Sequence, residues 1–189
     1  MIFSRLYETA GVRRLPVDPV EIARALGVKV VSYRAAAAHF DMKPSELYLR
    51  CPRGFSFKED GTCCIALNEN ACGEQRRRFT AAHELAHCVL GHLDAETFSK
   101  RQESDAERFA AELLAPLAVL RECGVGSAPE IARLCGISRQ AAIGRLAQLA
   151  EREKSGFCHS VDELRTAELF REFSENYSAR YKTCYKRTN

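Results

Sequence analysis

Apolar positions fall at helical spacing over some stretches of the chain and alternate at strand spacing over others. Residues 1–10 read as a short amphipathic helix. Pro16, Asp18 and Pro19 open a second helix, Val20 to Leu26, which Gly27 stops. Val28 to Val31 alternate as a strand does, and Glu46 to Arg50 form a second candidate strand closed by Pro52 and Gly54. Thr62 to Leu67 form a third, entered through the Asp60-Gly61 turn. The alanines at 35–38 carry no signal. The strongest helical pattern covers 74–90, where Phe79, Ala82, Ala86, Val89 and Leu90 share a face and Gly91 follows as a stop. Ala106, Phe109, Ala110, Leu113 and Leu114 stripe a helix over 103–115 that Pro116 ends. Residues 128–149 read as two short helices about Gly136-Ile137-Ser138, with Ser138 as N-cap. Ser155-Gly156 reads as a linker, and 160–189 as a charged helix with a basic end.

Composition narrows the classes. The 189 residues are 46% apolar and 28% charged, enough for a packed core and unlike a disordered chain. A net charge of +3 is too weak to imply nucleic acid by itself. No signal peptide and no run of 18 apolar residues is visible, so no membrane association is expected. The nine cysteines, an odd number, read as reduced thiols of a cytoplasmic protein. Cys51, Cys63, Cys64 and Cys72 are irregularly spaced and read as packing rather than as a metal site.

Chemistry concentrates in His83-Glu84-Leu85-Ala86-His87. Histidines four apart on a helix share one face about a turn apart, as two ligands of a tetrahedral zinc ion must. Glu84, beside the first ligand, can take a proton from a water that zinc has acidified. A catalytic zinc needs a third protein ligand. The metzincin pattern would need Gly at 90 and His at 93, and both are Leu. His92 lies beyond Gly91 and off the shared face, so it reads as a solvated or supporting histidine rather than a ligand. Glu103 and Glu107 lie on one face of the next helix. One can ligate zinc while the other holds a ligand imidazole; the plainer reading is a solvated acidic face.

These blocks resemble the ImmA/IrrE metallopeptidases. Arg77-Arg78-Phe79-Thr80-Ala81-Ala82 leads into the histidine motif, and Glu103 to Pro116 resembles the second family block. Ile65-Ala66-Leu67-Asn68 matches the strand ending in Asn that precedes the first. The resemblance implies a thermolysin-like (gluzincin) zinc core with His83, His87 and Glu103 as ligands and Glu84 as general base. It departs at Glu107, where the family usually has Asn, and at Ala115, where it usually has Met. It also implies a regulator that cleaves and inactivates a helix-turn-helix repressor in stress response or mobile-element control. Residues 65–68 would bind the substrate backbone as an edge strand.

The expected fold is α+β, mainly helical with a small antiparallel sheet. The expected organisation is a metallopeptidase core over 1–122, a helix-turn-helix-like pair over 123–155 packed on it, and a charged helix and tail over 156–189. The alternative function is a DNA-binding regulator with a vestigial zinc domain. In that reading Arg139, Gln140 and Arg145 face a groove or its phosphates. The basic end, with Arg180, Lys182, Lys186 and Arg187, reads as a solvated tail.

Overall fold

Short capping signals set the element boundaries in a computed structural model that describes residues 2–68, 73–94, 98–156 and 159–185. Cys72, Lys186 and Arg187 lie outside the described residues. Two compact units emerge, Asp18–Leu114 and a second made of Met1–Val17 with Ala115–Asn189. The boundary between these units lies at 114/115, and the N-terminal helix belongs with the C-terminal part.

The first unit holds α2 (Pro19–Ala25), β1 (Lys29–Ser32), α3 (Tyr33–His39), α4 (Pro44–Arg50), β2 (Gly54–Glu59), β3 (Thr62–Leu67), α5 (Glu74–Val89), a 3-10 turn (His92–Asp94) and α6 (Lys100–Leu114). The numbering leaves α1 (Phe3–Thr9) to the second unit. Asp18 caps α2 by accepting from the Val20 amide, as expected of Asp before Pro19. The alanine run is helical after all, because the Ser32 hydroxyl caps α3 at the Ala35 amide.

Two expectations need correction. Residues 46–50 form a helix, not a strand. In a strand Leu47 and Leu49 would share a face, yet Leu47 is 4% exposed and Leu49 84%. Pro44 in the first turn, with its fixed φ, favours the helix. The true partner strand is β2, whose Gly-Phe-Ser-Phe-Lys-Glu alternation meets β3 through Asp60 (φ 48°) and Gly61 (φ 76°). Positive φ at both central residues is the tight hairpin geometry that suits strand twist.

The sheet runs β1-β3-β2 and is mixed rather than antiparallel, since β1 pairs with β3 in parallel. The strand 62–67 is therefore interior. Ile65, Ala66 and Leu67 pair with β1 on one side and β2 on the other, so their backbone cannot accept an added strand. The outer strands are β1 and β2, and β2 is the one packed beside α5. Arg53 accepts from the Asn68 amide, which puts the ladder bonds on odd-numbered residues. The N–H and C=O groups of Gly54, Ser56 and Lys58 accordingly turn away from β3. Gly54 is confined by neighbours. A Cβ there would meet Thr80 Cγ2 at 2.6 Å, so only glycine lets β2 approach α5 this closely.

The second unit holds α1, α7 (Leu117–Cys123), α8 (Ala128–Cys135), α9 (Arg139–Lys154), α10 (Val161–Leu169) and α11 (Arg171–Tyr185). Ser138 caps α9 through the Ala141 amide, and Gly136 ends α8 with φ 61°. The helical pair over 128–149 is thus as expected. Arg145, however, does not face outward. It is 6% exposed, with Nε donating to the Ala115 carbonyl at 2.9 Å and Nη1 to Gln148 at 2.7 Å. Asp162 accepts from the Ile2, Phe3 and Ser4 amides, each at 3.0 Å, and so caps α1 from a distant part of the chain. Among the described residues no helix is long and apolar enough to cross a membrane.

Candidate metal centre

The site grows from α5 and α6, packed against each other in the first unit. Helix α5 starts at Gly73 (φ 69°) and stops before Gly91 (φ 71°). Its second half is lined with small residues, and Ala81, Ala82 and Ala86 are buried. Helix α6 begins earlier than its apolar stripe indicates. The Ser99 hydroxyl accepts from the Gln102 amide at 3.2 Å, and the Gln102 side chain accepts from the Ser99 amide at 2.9 Å. That reciprocal cap fixes the turn carrying Glu103.

His83 Nε2 lies 3.2 Å from His87 Nε2 and 3.3 Å from a Glu103 oxygen, and His87 Nε2 lies 3.7 Å from the other Glu103 oxygen. Ligands of tetrahedral zinc at ordinary bond lengths stand about 3.3 Å apart. The three donors thus fit a zinc ion between them. This is the only such group of His, Cys, Asp and Glu among the described residues. Cys51, Cys63 and Cys64 are free and form no such cluster. Burial, together with His83 and His92, lowers the His87 pKa to about 4. A neutral imidazole is the form that ligates.

Glu84 is nearly buried, and one carboxylate oxygen accepts from the Ser56 hydroxyl at 2.8 Å. Burial, with Glu103 beside it, pushes its pKa up; hydrogen bonds from the Ser56 hydroxyl and amide, and His83, pull it part of the way back. A carboxyl raised in this way is better matched to taking and returning a proton near neutrality. A cavity of about 350 Å³ opens in front of His83, Glu84 and Glu103, walled by Pro52 to Gly54 and by Phe79 and Thr80.

The structure brings His83, Glu84, His87 and Glu103 together. Glu107 lines the same cavity but is exposed and touches neither imidazole; the buried His83 Nδ1 has no hydrogen-bond partner. Asn68 supports the wall, donating to the Pro52 carbonyl at 2.8 Å. His92 is buried rather than solvated, with Nδ1 3.1 Å from His87 Nδ1. Ser56 and Phe98, which stacks on His87 at 3.9 Å between centroids, were not foreseen. The alternation over 54–59 was the one signal that could have placed Ser56 on a strand. Nothing local marks Phe98.

No curated protein matches the chain significantly. The IrrE N-terminal-like domain of peptidase family M78 matches residues 23–147, spanning the sheet, the helices that carry His83, His87 and Glu103, α8 and the first half of α9. On this match and the geometry of its site, the chain belongs to the ImmA/IrrE family of peptidases.

Proposed function

We propose that the chain is a zinc-dependent endopeptidase with a thermolysin-like centre, and that it cleaves and inactivates a helix-turn-helix transcriptional repressor. The observation that carries the catalytic part is the convergence of His83, His87 and Glu103 at ligand spacing, with the Glu84 carboxylate beside them in an open cavity. The repressor part rests on the family resemblance. Arg145 was a leading candidate for DNA contact, and its burial weighs against that reading.

Zinc held by these residues would acidify a water and polarise the scissile carbonyl. Glu84 takes the water's proton as its oxygen bonds to the carbonyl carbon, then delivers that proton to the departing amine as the C–N bond breaks. Ser56 keeps the carboxylate turned toward the cavity. Glu107, one turn beyond Glu103, is within the same cavity and is the proposed partner for His83 Nδ1 once the site is filled. The substrate backbone lies extended along β2 and pairs with the outward groups of Gly54 and Lys58, while the Ser56 amide is engaged by Glu84. This replaces Ile65 to Asn68 as the binding strand.

Co-expression with a helix-turn-helix repressor encoded beside the protein tests the proposal. Mass spectrometry is expected to find repressor fragments with wild type and none with Glu84→Gln. An intact repressor with both removes the substrate assignment. Fragments with both remove Glu84 as the base.

A further inference from the structure

His87 meets its surroundings through both ring nitrogens. Nε2 faces His83 and Glu103; Nδ1 lies 3.1 Å from His92 Nδ1. A neutral imidazole carries one proton. An Nε2 that binds a metal has none, so the proton sits on Nδ1 and must be donated. His92 Nδ1 is then the acceptor, and His92 carries its own proton on Nε2. Gly91 (φ 71°) turns the chain back after α5, and the 3-10 turn beginning at His92 buries that ring to 8% exposure. Phe98 stacks on the His87 ring with planes 11° apart. One contact fixes the edge of the ring and the other its face.

We propose that His92 is a positioning residue for the metal centre: it accepts the His87 Nδ1 proton and thereby fixes the tautomer and ring angle that present Nε2 to zinc. The inference rests on His83, His87 and Glu103 being the ligands. The place His92 occupies is usually filled by a carboxylate or a carbonyl. A neutral imidazole acceptor orients the ligand without adding negative charge to a site that already holds Glu103 and has Glu107 in the same cavity.

The test is zinc affinity of the full chain, measured by competition with a chelator, for wild type, His92→Ala and His92→Asn. Loss of such a partner costs about 10–100-fold in metal affinity, the fall expected for His92→Ala. Asn places an acceptor oxygen near the position of Nδ1, so His92→Asn is expected to recover most of that loss. Equal affinity of folded His92→Ala and wild type overturns the proposal. Nitrogen NMR of zinc-loaded wild type decides the matter even if His92→Ala does not fold. The expected result is a proton on His87 Nδ1 with scalar coupling across to His92 Nδ1; a His87 proton without that coupling overturns it. Wild type that binds no zinc removes the metal reading and this inference together, an outcome distinct from zinc binding that ignores His92.

Discussion

Carboxylates in the two units of the molecule stand in opposite environments. In the helical unit Glu163 accepts from the Arg152 guanidinium and from the Ser160 amide, the latter at 2.8 Å, and Asp162 accepts from three amides of α1. Burial works against the charge at both, but these donors outweigh it and hold both pKa values low, Glu163 at about 2. In the sheet-bearing unit Glu84 is more deeply buried, accepts from the hydroxyl and the amide of Ser56, and moves the other way because burial outweighs these donors. A carboxylate surrounded by donors is fixed in charge and serves architecture. One whose burial outweighs its donors, beside imidazoles, suits the proton exchange proposed for Glu84. The buried Arg145 belongs with the first kind, its donors spent on Ala115 and Gln148.

The contrast can be broken at several points. Glu84→Gln is expected to lower peptide hydrolysis by about 10²–10⁴-fold while zinc content, read by elemental analysis, stays at the wild-type level. Glu103→Ala is expected to cost zinc affinity more than the about 10–100-fold assigned to an outer partner, measured by the same chelator competition. Arg145→Ala is expected to leave zinc content unchanged but to destabilise the fold by about 2 kcal/mol in chemical denaturation, because the Ala115 carbonyl loses charged donors. Gly54→Ala is expected to cost about 1–3 kcal/mol as the new Cβ forces β2 away from Thr80, with hydrolysis reduced as well.

The smallest effect is on pH dependence. Glu163 has a folded pKa of about 2 against an ordinary 4.5, so its stabilisation is complete above 4.5 and fades as pH falls toward 2. Stability of Glu163→Gln is expected to depend less on pH across that window, as followed by circular dichroism. An unchanged acid slope would show that the Arg152 pairing contributes nothing.

Much of this was legible in the chain because the relevant signals were local. The 83–87 spacing lay in a strongly periodic helix, and the Asp18, Ser138 and Gly136 caps stood where their side chains or backbone freedom demanded. The strand order was not legible. Pairing of β1 with β3 joins residues more than thirty positions apart, and no local pattern records which strand is interior. Leu47 and Leu49 misled because two apolar residues at i and i+2 fit a strand, while Pro44 and tertiary burial decided for a helix. The Ser56–Glu84 and His87–His92 contacts depend on how β2 and the turn after Gly91 fold over α5, which composition and spacing do not encode. Arg145 looked like a surface residue until the carbonyl that accepts its hydrogen bonds was in place.

X-ray absorption at the zinc edge of the loaded full-length protein tests the central claim most directly. Two imidazoles and a carboxylate predict a first shell of nitrogen and oxygen only, at about 2.0–2.2 Å, with imidazole scattering lost in part on His83→Ala. A sulfur shell near about 2.3 Å would place zinc on the cysteines instead and contradict the account.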